Sequence, residues 1–149
     1  MLVRMSSDRI AKVWKDIRHE VGEALPEYVR FNHHKMAGLL QGLLDGTFDL
    51  WFIVDHDEDN NRTKILGHMI TRIVEDKLMS SKFLDVFTLW AEDLPVNVLN
   101  DGYEIIEQYA RNHGCSSMVT DTCNKFLIRI AQRFGFNTDY TRLIKELEN

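Results

Sequence analysis

Six histidines, two cysteines and 23 acidic residues are the side chains here that can hold a metal or carry a proton. Their spacing decides which of them can act together. Asp55, Asp57 and Asp59 alternate as in a calcium loop, but such a loop needs Gly at its sixth position and Glu at its twelfth, where this sequence has Asn60 and Leu66. A polar hairpin turn accounts for them better. His33 and His34 are adjacent, so on a helix their rings point about 100° apart, and no partner cluster completes a metal site. They read as residues that cap or flank a helix. Cys115 and Cys123 are too few for a disulfide framework and have no zinc-finger spacing, so both are expected to be unbridged thiols. Glu92 and Asp93 form an adjacent carboxylate pair after an apolar run, a pattern shared by solvated loops and by general bases. No serine sits in a Gly-x-Ser-x-Gly elbow, so a nucleophilic triad is not indicated.

The chain that must position these groups has 149 residues, 44% of them hydrophobic and 28% charged, which suits one globular domain over residues 1–149. Two prolines, eight glycines and no low-complexity run predict order throughout. A formal net charge of -5 repels polyanions, so nucleic acid is not an expected partner. The start of the sequence turns polar within a few residues, unlike a signal peptide, and no apolar run approaches the roughly 18 residues of a membrane span. A cytoplasmic setting without membrane contact is the expectation.

Periodicity supplies the elements. Residues 1–5 suit a short strand, and Ile10, Val13, Trp14, Ile17, Val21 and Leu25 then recur at spacings of three and four until Pro26 stops the run. Met36, Leu39, Leu40, Leu43 and Leu44 repeat that pattern in a second helix ending near Gly46, after a loop at 26–32. Residues 49–55 and 64–74 read as strands of a hairpin, and 82–90 as a strand apolar on both faces, hence central. A helix over 100–112 stops at Gly114, with Ile105, Ile106, Tyr109 and Ala110 on one face; a strand over 116–121, a helix over 125–134 and a last strand over 140–147 complete the chain. The order βααβββαβαβ is a mixed α/β sheet with a parallel crossover in its second half.

That order resembles the Gcn5-related N-acetyltransferase (GNAT) superfamily over nearly the whole chain. The local matches are Asn124 with Gly135-Phe136 eleven residues on, Ala110 followed by Gly114-Cys115, and Gly67 early in the third strand. The resemblance implies a mixed central sheet whose fourth and fifth strands splay apart, with acetyl-CoA in the gap and its pyrophosphate on backbone amides of a Gly-rich turn opening the third helix. Glycines serve such a turn because a side chain blocks the approach of backbone to phosphate.

The family turn reads Gln/Arg-x-x-Gly-x-Gly/Ala. One alignment puts Leu94, Asn97 and Leu99 on those three positions and matches none; another uses Asn97, Asn100 and Gly102 and matches only the last, with Asp101 adding negative charge. The tyrosine that often protonates the departing thiolate, seven residues after the Asn, is here Ala131, with Tyr140 or Cys123 as conceivable substitutes. Carried over, the resemblance gives Asn97, Leu99, Asn100, Gly102 and Asn124 as coenzyme-binding positions and Glu92 as the general base, with no metal. It implies a GNAT-fold protein with a degenerate acetyl-CoA turn, most simply a non-catalytic binding or structural module with a protein partner. The alternative is an active N-acetyltransferase moving acetyl from acetyl-CoA to a small amine. The loss of these motifs also looks like that of acetyltransferase-like proteins of tailed phages, some of them in the virion interior.

Overall fold

The computed structural model describes residues 1–26, 29, 32–145 and 147. Its order is β1 (Leu2–Arg4), α1 (Ser7–Ala24), α2 (His33–Asp45), β2 (Asp49–Asp57), β3 (Arg62–Asp76), β4 (Ser81–Ala91), α3 (Val96–Asn112), β5 (Ser117–Thr120) and α4 (Lys125–Arg133). The strands form one sheet in the order β1-β2-β3-β4-β5, antiparallel except for the parallel pair β4 and β5. A strand, helix, strand unit through α3 produces that pair, as the periodicity predicts.

Both sheet faces are covered, which is why β2 reads as an unbroken apolar run. Alternation sends Leu50, Phe52 and Val54 to a core shared with Ile10, Val21, Leu39 and Leu43 of α1 and α2. Trp51 and Ile53 go to the opposite core with Val98, Ile106 and Ala110 of α3. That second core carries a polar seam. The Tyr109 hydroxyl donates to Asp49 Oδ2 at 2.6 Å, Arg4 pairs with the same carboxylate at 2.9 Å, and the Trp51 indole donates to Thr71 Oγ1 at 2.9 Å. Burial, then the Asp49 hydrogen bond, pushes the Tyr109 phenol up to about 12.

Three expectations change. α3 starts at Val96, four residues earlier than the pattern predicts, because Pro95 holds the extended geometry of an N-cap at φ -60 and ψ 144 and the Leu99 N–H already donates to its carbonyl. Ile105 is exposed on α3, since the stripe facing the sheet runs through Val98, Ile106 and Ala110. No last strand forms over the described residues of 140–147. Tyr140, Leu143, Ile144 and Leu147 recur at helical spacing rather than alternating, so they give no strand a continuous apolar face. The loop expected at 26–32 falls mostly outside the described residues; within it the Val29 N–H donates to Pro26 O.

Gly67 faces Ala91 across the ladder, beside a register shift in β2. A Cβ there would press on the Trp90 carbonyl and lie 2.8 Å from the Ala91 Cα, both backbone atoms that cannot swing aside. Gly67→Ala is therefore expected to cost about 2 kcal/mol or more, read as a lower midpoint in urea unfolding at unchanged slope.

Candidate functional site

The site is made by strands that part. β4 and β5 are paired only from Phe83 to Val86 on one side and Ser117 to Thr120 on the other. The Thr120 hydroxyl closes that short ladder by donating to Val86 O at 3.0 Å. Beyond it β4 runs on to Ala91 alone, while the chain leaves β5 for the start of α4. Phe87 sits at a register shift between β3 and β4, which adds to the local twist where the strands separate.

The gap is an apolar cleft of about 150 Å³. Leu89 and Thr88 of β4 form one wall, Val98 and Ile106 of α3 another, and Leu127 and Ala131 of α4 the outer side. Ala24 of α1 also lines it, so the cleft passes through the sheet toward the other helical layer. Tyr103 is the one phenol in the lining: its ring stacks on Phe134 at 4.1 Å and its hydroxyl donates to Phe134 O at 3.3 Å, tying α3 to the end of α4. Desolvation by burial, and then the nearby Glu107, raises its pKa. Sequence reasoning passed over Tyr103, although its place three residues before Ile106 on the inward stripe was the available signal.

The start of α3 borders this cleft, and its residues fall as follows. Glu92 is exposed just past β4, with its backbone N–H donating to Leu66 O at 3.0 Å. Asp93 turns the chain at φ 46, the left-handed region in which glycine is at ease. Leu94 and Leu99 line the cleft, and Asn97 lies in the first helical turn. Asn100 and Gly102 lie deeper in α3, where backbone N–H groups belong to the helix ladder, so an alignment using them as the turn puts that turn inside a helix. Only Val96, Asn97 and Val98 carry amides ahead of the first intrahelical bond. Along this stretch Pro95 has no N–H to offer, no glycine opens the backbone before the first helical turn, and Glu92 and Asp93 add negative charge in the chain just ahead of it.

The other sequence-derived positions scatter. Asn124 caps α4, its Oδ1 accepting from Phe126 N at 2.9 Å and Leu127 N at 3.4 Å. Ala131 faces the cleft with nothing to donate. Tyr140 is 86% exposed and Cys123 is exposed, and neither lines the cleft. Asp57 binds Asn60 in the hairpin turn, and Asn32 caps α2 by accepting from His34 N and Lys35 N. Among the described residues no three His, Cys, Asp or Glu side chains converge on a metal position, and no helix is long and apolar enough to cross a membrane.

One polar cluster was not anticipated. His68 is only 2% exposed and stacks on Trp90 at 5.3 Å, yet neither ring nitrogen has a protein partner. Thr88 Oγ1 and Glu20 Oε2 are likewise buried and unpartnered. Burial drives the His68 pKa down to about 4, against an opposing pull from the Glu20 charge. A single histidine within a strand pattern carries no sequence signal for this; only tertiary packing, α1 against β4 and the Trp90 ring against the imidazole, buries it.

No family model matches the chain, and no curated protein matches it in sequence. Solved structures do match, end to end. An aminoglycoside acetyltransferase, AAC(6')-Iy, in complex with a bisubstrate analogue gives a TM-score of 0.69 at 13% identity, covering 100% of this chain and 98% of that one. A ribosomal-protein-alanine N-acetyltransferase from Brucella melitensis gives 0.67 at 8% identity, covering 99% of each chain. A glucosamine-6-phosphate N-acetyltransferase from Arabidopsis thaliana gives 0.64 at 11% identity, covering 99% and 98%. At such identities the likeness is one of fold.

The buried imidazole sets a pH dependence. With a folded pKa near 4 and an ordinary value of 6.5, the unfolded chain takes up a proton between those limits that the folded chain does not. Stability is therefore full above the upper limit, falls as pH drops through the window, and loses nothing more from this group below it. Urea unfolding at about pH 7 and about pH 4.5 should differ by roughly 2–3 kcal/mol from His68, with Glu20 the charged group facing it. His68→Phe should remove that part of the difference.

Proposed function

We propose, from the premise that this chain has the GNAT fold, that it is a non-catalytic binding module which retains the acyl cleft but has lost the means to hold acetyl-CoA. The carrying observation is the approach to α3. Glu92, Asp93 and Pro95 occupy the stretch just before α3, where an anion would need free amides and no added negative charge. Ala131 supports the same reading, since α4 itself presents no hydroxyl to the cleft at that position. The partner of such a module is a protein or a small molecule that fills an apolar slot, and packaging inside a virion is one setting that suits it.

A catalytic reading, transfer of acetyl from acetyl-CoA to an amine with Glu92 as base, has one observation in its favour. The cleft extends through the sheet to Ala24, so two reactants could meet from opposite sides.

Acetyl-CoA titration separates the two. A ligand at a hundred times its Kd stabilises a fold by about 2.7 kcal/mol. Acetyl-CoA at about 1 mM is expected to leave the Tm nearly unchanged, so that any affinity is weaker than about 10 µM. A clear rise in Tm, together with CoA release in the presence of an amine, would overturn the non-catalytic reading.

A further inference from the structure

Three polar side chains gather where the cleft crosses the sheet, and their buried atoms have no protein partner among the described residues. Thr88 and His68 are each 2% exposed, and Thr88 Oγ1, both His68 ring nitrogens and Glu20 Oε2 make no hydrogen bond. Leaving such groups unpaired costs stability, so a guest that satisfies them gains what the empty fold forgoes.

Sheet register sets two of these groups side by side. Thr88 lies opposite Ile70 and Trp90 opposite His68 on the β3–β4 ladder, so Thr88 and His68 are diagonal neighbours on one face, with about 7–8 Å between their backbones. Glu20 stands on α1 one helical turn before Ala24, and its charge reaches the imidazole. Ala24 and Thr88 both line the cleft, so cluster and cleft are continuous. The apolar part, between Leu89, Val98, Ile106 and Leu127, belongs to a space of about 150 Å³. An apolar cavity of about that size takes a benzene-sized guest.

We propose that cleft and cluster are one binding site for a small neutral molecule, a benzene-sized apolar body ending in a hydroxyl or carboxamide, with the body between α3, α4 and β4 and the polar end between Thr88 and His68. This names the ligand class of the binding module proposed above and rests on that reading. The polar end is matched in kind. A hydroxyl or carboxamide both donates and accepts, and so do the Thr88 hydroxyl and the neutral imidazole, whose pKa burial pushes down to about 4. A carboxylate end would meet the Glu20 charge. An ammonium end would shed its water beside two neutral groups, while Glu20 is itself partly exposed.

Titration of the full chain at about pH 7 with benzyl alcohol, benzamide, toluene, benzoate and benzylamine, followed in amide NMR spectra, tests the assignment. Benzyl alcohol or benzamide is expected to bind with a Kd of about 1 mM or below and at least about tenfold more tightly than the other three. Thr88→Val keeps the side-chain shape and should abolish the preference over toluene, while toluene binds as before or more tightly. Ala131→Phe fills the cleft from α4 and should block every probe. Because the preference is a ratio within one variant, altered stability does not imitate its loss. No binding by any probe, toluene binding as tightly as the alcohol, tightest binding by benzoate or benzylamine, an unchanged preference in Thr88→Val, or undiminished binding in Ala131→Phe would each overturn the proposal. Acetyl-CoA titrated in parallel judges the non-catalytic reading separately: its binding would overturn that reading whatever the aromatic probes do.

Discussion

The parting of β4 from β5 is the constraint on which the site depends. A parallel pair normally lengthens until one strand ends, but here β4 is also bound along its other edge to β3, from Ser81 to Ala91, and follows the twist of that long hairpin. β5 is four residues long and leaves after Thr120. The ladder therefore stops at the Thr120–Val86 bond, and the remaining backbone of β4 faces a gap instead of a strand. α3 and α4 span that gap from one side and α1 from the other, so the cleft follows from sheet geometry before any lining side chain is considered.

Retaining that geometry does not require retaining a phosphate site. The cleft is held open by Val98, Ile106 and the β-strand cores, which would pack in the same way whatever bound there. The anion site is a separate device, made of amides at one helix end, and it tolerates few side chains. In this chain the stretch between β4 and α3 carries Glu92, Asp93 and Pro95, and the first turn of α3 holds no acidic residue. Fold and ligand chemistry are thus separable, and a likeness in one does not carry the other.

The polar cluster beneath α1 shows the opposite balance. His68, Thr88 and Glu20 bring buried polar atoms into a layer otherwise made of Ile10, Val21, Leu50 and Ile70. Such groups lower stability relative to an apolar filling of the same shape, and the protonated imidazole more so. Thr88 also lines the cleft, which places the cluster at the inner end of the passage through the sheet.

Much of this was legible in the residues alone. Apolar spacing defined α1, α2 and the three long strands, and Gly114 and Gly135, both in the left-handed region, marked where α3 and α4 end. The motif spacing of Asn124 and Gly135-Phe136 carried the resemblance, and the missing turn glycines were visible as missing. Residues 140–147 were misread because four apolar residues in eight satisfy a strand by composition while their period is helical. What only the tertiary structure decided is which distant residues meet. The depth of His68, the stacking of Tyr103 on Phe134 and the reach of the cleft to Ala24 arise from elements separated by tens of residues. Local spacing encodes the face a side chain takes on its own element, but the neighbour across the gap is set by how the sheet twists and where its strands part.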